Sequence, residues 1–402
     1  MAVFGLQWTQ ATDARVRPAE SVLTHLAVTS PTNAETLAAV AQASTYAPWS
    51  GMRRCNLWDD GTPTAYYGDR CYTDTDVANM GQAMVRIPKF WYTTNHGGGV
   101  YIWYISTDGN AADLPAGADH AWAVHPAFIR NGVTKDYIYV GAYEGYFNAT
   151  DSKLESKAGV QPTSTKSLAQ FRTAAELRIG TTNKWEVQDY LSLCAVQLLY
   201  LVEYGHFNAQ LVLSAGITNM TDDAVHNQSS SSGHTTALGN ASGSVLHTFD
   251  HVPDAGDVTG YAMSYRGIEN LYGNGYKVTE GINVKANYDP WIADHDFATN
   301  YEGYGHPYIN DTATPITGVG FITDIKVDAT YDYVFLASAV AGGSATTKLC
   351  DYATGGAGNL IMLNSGSCFG GAAAGYAGPF YYNLVASTSA TRNMHARLMY
   401  IG

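Results

Sequence analysis

Two neighbouring stretches carry helix signals at both ends, and they constrain the fold more than anything else in the chain. The first, "SLAQFRTAAELRIG", has Ser167 at the N-cap position, Gln170 to complete a capping box, and Gly180 at its exit. The second, "NKWEVQDYLSLCAVQLLYLVEYG", places Asn183 as N-cap, Glu186 three residues on, and Gly205 just past the end. Val187, Leu191, Cys194, Leu198 and Leu201 fall on one stripe of that second helix, which predicts a single face packed on a partner.

Around these helices the pattern is strand-like. "WDDGTPTAYYG" reads as a hairpin about Asp60-Gly61, "AMVRIPKFWYTT" and "VYIWYIST" are rich in β-branched and aromatic residues, and "KDYIYVGAYEGYF" alternates with period two. Short strands separated by glycine-rich loops fill the C-terminal part, including "GVGFITDI", "YDYVFLASAV", "NLIMLN", "FYYNLVAS" and "HARLMYIG". Residues 217–258 are polar, with "NQSSSSGHTTALGNASGSV" at their heart, and read as a long loop insertion that is either mobile or pinned by partners. Residues 1–45 stand apart: Thr32 and Glu35 form a capping box before the Ala-rich "TLAAVAQAS", and the segment reads as an arm for attachment to another protein. No internal repeat is visible. Many strands and two adjacent helices predict an α+β fold in which the helices pack on an antiparallel sheet.

Composition bears on function. Charged residues make up 14% of the chain, below the roughly 25% of average domains, while Tyr (29) and Gly (41) are over-used. A surface of Tyr, Ser, Asn and Gly suits recognition, because Tyr gives rigid amphipathic contact area and the small polar residues adapt their hydrogen bonds. Half-buried sheet tyrosines would give the same composition. A net charge of −13 with no Lys/Arg run argues against a nucleic-acid partner. The first twenty residues lack a basic stretch followed by an apolar one, so no signal peptide is expected, and a soluble protein made in a cytosol is. Leu191 to Val202 is too short to span a bilayer, so no membrane insertion is expected. Cys55, Cys71, Cys194, Cys350 and Cys368 are odd in number and contain no C-x-x-C, which argues against a disulfide framework and against zinc. Cys194 reads as a core residue.

Six segments in order carry a resemblance: "MVRIPKFWY" (84–92), "HPAFIRNGVTKDYIYVGAYEG" (125–145), "LVEYGHFNAQ" (201–210), "TTALGNASG" (235–243), "YRGIENLYGNGYKVTEGINV" (265–284) and "GPFYYNL…HARLMYIG" at the C-terminus. Over roughly residues 47–402 the chain resembles a family of bacteriophage tail-fibre or receptor-binding virion proteins. Their fold is C-type-lectin-like, of the same broad type as formylglycine-generating enzymes and retroelement-diversified phage adhesins. The resemblance implies residues 46–402 as one C-type-lectin-like domain, with two helices against a small antiparallel sheet and long loops on one side. It implies that segment 265–284 is scaffold: Gly267, Gly273, Gly275 and Gly281 would supply positive φ or close backbone approach, and Arg266, Glu269, Asn270 and Asn274 would satisfy buried backbone groups. It also implies a recognition surface shortly before the last strand. There Gly375, Gly378, Phe380 and "ARLMYI" match the frame, and Tyr376, Tyr381, Tyr382, Asn383, Arg392, Asn393 and His395 stand between as receptor-binding candidates. In "GPFYYNL" the set Phe380, Tyr382, Leu384 alternates with Tyr381 and Asn383, so one set is expected in the core and the other in solvent.

Catalytic and metal chemistry find little in the residues. Cys350 and Cys368 are the only candidates for an oxidase of the formylglycine type, and neither has a basic cluster near it in sequence. No G-x-S-x-G occurs, His125 in "VHPAF" reads as a turn or capping histidine, and the acids of "WDDG" and "DHDF" read as turn residues. Asp254, Asp257, Asp294 and Asp296 could form an oxygen cage for calcium, but they read as a solvated loop. The expectation is therefore a non-enzymatic virion protein without cofactor or metal. It would recognise a bacterial cell-surface glycan or protein, attach to other virion proteins through residues 1–45, and be displayed as a homotrimer. The alternative is a capsid or tail decoration protein with no receptor role.

Overall fold

The long helix spans Tyr190–Tyr204 in the computed structural model, and every one of its fifteen residues is buried. The model describes residues 2–23, 42–178, 184–220, 229–249, 258–284, 289–297, 309–310, 318–328, 330–340, 344, 349–356, 360–366 and 377–402. The apolar stripe is only part of this helix's surface. Leu193, Val196, Leu199 and Val202 lie off it, so the helix is apolar all round and must be covered all round. It contacts the strands Val3–Thr9 and Val100–Ser106 of one sheet and Tyr276–Val284 of another. Its start is Asp189, whose side chain accepts from the Ser192 amide, and not Asn183. Trp185–Val187 is instead a strand, paired with Arg397–Tyr400. Gly205 closes the helix in the left-handed conformation expected of it. The shorter helix, Leu168–Glu176, carries the Ser167–Gln170 capping box with both bonds formed.

Three large sheets surround these helices. A five-stranded antiparallel sheet runs in the order Ala14–Val16, Val3–Thr9, Val100–Ser106, Trp91–Gly97, Ala123–Val124. A seven-stranded sheet runs Trp185–Val187, Arg397–Tyr400, Tyr137–Asn148, Gln82–Pro88, Arg53–Leu57, Pro63–Tyr66, with Lys153–Ser156 also on Tyr137–Asn148. The hairpin about Asp60-Gly61 joins its last two strands. A nine-stranded sheet is built around Tyr276–Val284, Leu360–Asn364 and Tyr382–Ala386. One hydrophobic cluster wraps the long helix, with Phe4, Trp8, Trp103, Leu199 and Phe380 among its members. A second lies under the short helix and includes Leu57, Phe171, Trp185, Leu363 and Leu398.

Strand outweighs helix, 39% to 15%, and this overturns the expected α+β, C-type-lectin-like arrangement of two helices on a small sheet. The physical reason lies in the short glycine-separated runs. Read singly they suggest one small sheet with loops, but they pair across the chain into several sheets large enough to enclose the long helix. The N-terminal segment differs from expectation too. Val3–Thr9 pairs with Val100–Ser106 over seven residues, so the first strand is part of a sheet and not of a separate arm. Thr32, Glu35 and most of the Ala-rich run lie outside the described residues.

Candidate recognition cleft

Segment 265–284 is held from inside. Its Gly273 adopts φ +75°, and an added Cβ would lie 2.9 Å from the Ile217 amide nitrogen and carbonyl oxygen, so the position demands glycine. Asn270 and Asn274 take left-handed φ of 48° and 60° and aim both side-chain amides at Glu144, at 3.1 and 2.5 Å. Glu144 follows a register shift in its strand and lies in a stretch, Ile138 to Gly145, that is buried throughout. The Glu144 carboxylate also meets Lys277 Nζ at 3.0 Å and His395 Nδ1 at 3.3 Å. Burial opposes its ionisation, but Lys277, His395 and Arg397 outweigh that and hold it well below the usual carboxylate range. Glu269 accepts from the Gly233 amide (2.7 Å) and from the Thr235 amide and hydroxyl (2.6 and 2.7 Å), pinning the serine-rich loop. Burial raises its pKa, and those donors offset part of the rise. Arg266 pairs with Glu203 of the long helix. Polar groups that could have faced a ligand are spent on holding irregular backbone in place.

The C-terminal candidates do not form the expected exposed patch. Tyr381 (4% exposed), Tyr382 (3%) and His395 (0%) are buried. Strand Tyr382–Ala386 lies inside the nine-stranded sheet, with pairing on both edges. Phe380, Tyr382 and Leu384 are the set that packs in the core, which removes Tyr382 as a contact residue. Tyr381, on the opposite face, is covered by the stacked ring of Tyr276 at 5.9 Å. The Tyr382 hydroxyl accepts from the Ala337 amide (3.3 Å), and His395 serves Glu144. Asn383, Arg392 and Asn393 are half-buried, the Asn393 carbonyl accepting from the Tyr276 amide at 2.8 Å. Tyr376 lies outside the described residues.

The other candidates also take structural places. His125 caps a short 3-10 turn by accepting from the Ala127 amide. Cys350 and Cys194 are buried, and burial raises both thiols. Asp294 accepts from the Asn131 amide (3.0 Å) and contacts His295. Asp254, Asp257 and Cys368 lie outside the described residues, among which no group of three or more His, Cys, Asp or Glu side chains could hold a metal ion. Among the described residues no helix is long and apolar enough to cross a membrane.

A cleft of about 240 Å³ opens at the edge of the seven-stranded sheet. Three structures meet there: the hairpin turn at Trp58-Asp59, the turn between Asn148 and Lys153, and the chain leaving the short helix at Arg178. Val77, Ala78 and Gln82 complete its wall with Asp151 and Glu155. Trp58 is 38% exposed, the only tryptophan among the large exposed hydrophobics of the described residues. Its backbone is fixed, the Trp58 amide donating to Thr62 (3.0 Å) and the Gly61 amide to Trp58 (2.8 Å). Asp59 is fixed at three points, by Arg178 (2.6 Å), by Lys153 (3.2 Å) and through its carbonyl by Trp185 Nε1 (2.7 Å). Glu155 is oriented by Asn148 Nδ2 (3.0 Å) and Lys157 Nζ (2.7 Å). The side chains of Asp59 and Lys153 remain 34% and 28% accessible. Here an apolar ring stands beside pre-oriented donors and acceptors that retain unused hydrogen-bonding capacity. In sequence, the acids of "WDDG" could be paired carboxylates of a glycosidase but read more readily as a turn. Its one distinguishing signal was an aromatic residue leading a polar hairpin, and the partners Asn148, Lys153 and Arg178 are remote in sequence. No protein-family model matches this chain, and no curated protein does.

Proposed function

We propose that this chain is a surface recognition protein of a bacteriophage particle and binds a receptor on the bacterial envelope through the Trp58 cleft. The phage assignment draws on the ordered motifs between residues 84 and 402. The recognition role draws on one observation: an exposed tryptophan over a polar cleft whose side chains are already oriented, on a scaffold braced by buried ion pairs. Pre-organisation of this kind lowers the entropy lost on binding. A single cleft gives weak affinity, so display as a homotrimer, with contacts to other virion proteins through residues 1–45, belongs to the same proposal; avidity multiplies affinity by roughly 10² to 10⁴. The test is competition. Purified chain incubated with susceptible bacteria should reduce adsorption of the parent particle, and a Trp58→Ala chain should not. Undiminished adsorption at saturating parent chain overturns the proposal.

One observation favours the alternative of a decoration protein. The hairpin Gly243–Phe249 and Val258–Tyr265 sets Leu246 directly opposite Tyr261, and these are 57% and 43% exposed. An apolar cross-strand pair standing in solvent suits a lateral contact with a neighbouring subunit. On that reading, loss of both side chains weakens particle assembly and leaves adsorption by assembled particles unchanged.

A further inference from the structure

Resting on the recognition reading above, we infer that the ligand of the Trp58 cleft is a single neutral pyranose ring, a terminal or branch residue of a surface saccharide. Size is the first argument. About 240 Å³ lies below the roughly 300–1,000 Å³ of sites for drug-sized ligands, which suits one ring seated in the cleft.

Shape and polarity are the second. A pyranose has one face of C–H groups and a rim of hydroxyls, each both donor and acceptor. The Trp58 indole offers a flat, electron-rich face of the kind that attracts polarised C–H groups. The lining of the cleft also holds acceptors (Asp59, Asp151, Glu155) and donors (Lys153, Arg178). Each Asp59 oxygen accepts one bond from a cation, which leaves lone pairs for a hydroxyl. A purely apolar ligand would strand these groups. A rim of hydroxyls satisfies them without moving any.

Charge is the third. The lining holds three acids, Asp59, Asp151 and Glu155, against two bases, Lys153 and Arg178, for a net of −1. Both bases are already paired with Asp59. An anionic sugar or a phosphate would therefore meet an excess of carboxylate and no uncommitted cation on the wall. This selects against acidic saccharides and in favour of neutral hexoses and N-acetylhexosamines.

Titration of the full chain with methyl glucoside, methyl galactoside, N-acetylglucosamine and glucuronate, followed by ligand-observed NMR, tests this. At least one neutral probe should bind with a dissociation constant on the order of 1 mM, as the ligand efficiency of a small ring dictates. Glucuronate should bind at least tenfold more weakly. Trp58→Ala should abolish binding while its melting temperature stays with the parent, and Leu246→Ala, outside the cleft lining, should bind as the parent does. Preference for glucuronate, or equal binding by Trp58→Ala, overturns the inference. So does absence of binding by every neutral probe. If that absence accompanies adsorption that is still blocked by the parent chain and not by Trp58→Ala, the recognition reading stands and only the saccharide class falls.

Discussion

Replacing Glu144 by alanine removes the hub that joins segment 265–284 to the seven-stranded sheet. Four groups converge on this carboxylate, the Asn270 and Asn274 amides, the Lys277 ammonium and the His395 ring. Lys277 and Glu144 side chains are 2% and 1% exposed, so the variant leaves a buried ammonium without its counter-charge. Breaking such a pair costs about 3–5 kcal/mol. Lys277 still donates to the carbonyls of Gly273 and Gly275, and Asn274 to Ser230, which places the loss near the middle, about 4 kcal/mol. With an unfolding entropy of about 2.1 cal/mol/K per residue, a chain of 402 residues has about 0.84 kcal/mol/K, so the melting temperature should fall by about 5 °C. Calorimetry of parent, Glu144→Ala, Lys277→Met and the pair Glu144→Leu with Lys277→Met completes the test. The double variant removes both charges and should lose less than the sum of the singles. A Glu144→Ala melt within 1 °C of the parent refutes the reasoning, because the hub would then carry no net stability.

Two further outcomes follow from burial. His125 is fully buried, and burial lowers its pKa to about 3, only partly countered by Asp332. The unfolded chain takes up a proton near pH 6.5 that the folded chain refuses, so stability is complete above that pH and is lost as pH falls toward 3, by at most about 5 kcal/mol. His206, also lowered to about 3 by burial, adds to the same slope; melting temperature against pH should therefore flatten in part, not wholly, in His125→Asn. An unchanged slope would exclude His125 as a source. Tyr382→Ala should lower stability by about 3–5 kcal/mol through the cavity it leaves; a variant that folds as the parent does but fails to adsorb would restore Tyr382 as a contact residue.

Local chemistry was legible in the sequence and long-range pairing was not. The Ser167–Gln170 box, the left-handed Gly205 and the Asp60-Gly61 turn are each decided by residues within a few positions. The sequence pattern points to Asn183 as the N-cap, whereas the helix starts at Asp189. Asp189 prevails because Arg397–Tyr400, about two hundred residues away, captures Trp185–Val187 as a strand. Period-two alternation separates Phe380, Tyr382 and Leu384 from Tyr381 and Asn383, but alternation cannot say which set is core, nor that Tyr276 covers Tyr381 on the other face. A scaffold role for Arg266, Glu269, Asn270 and Asn274 is implied by the resemblance, whereas Glu203, the partner of Arg266, and Glu144, the partner of the two asparagines, come from helix and strand positions that look like ordinary surface acids. The exposure of Trp58 is likewise a property of the fold, and its companions gather only when the sheet forms.

Hydroxyl-radical footprinting of the purified chain bound to envelopes of susceptible bacteria tests the central claim most directly. Protection of Trp58, with Leu246 and Tyr261 as reactive as in the free chain, is the predicted result. Protection confined to Leu246 and Tyr261, with Trp58 unchanged, would contradict it.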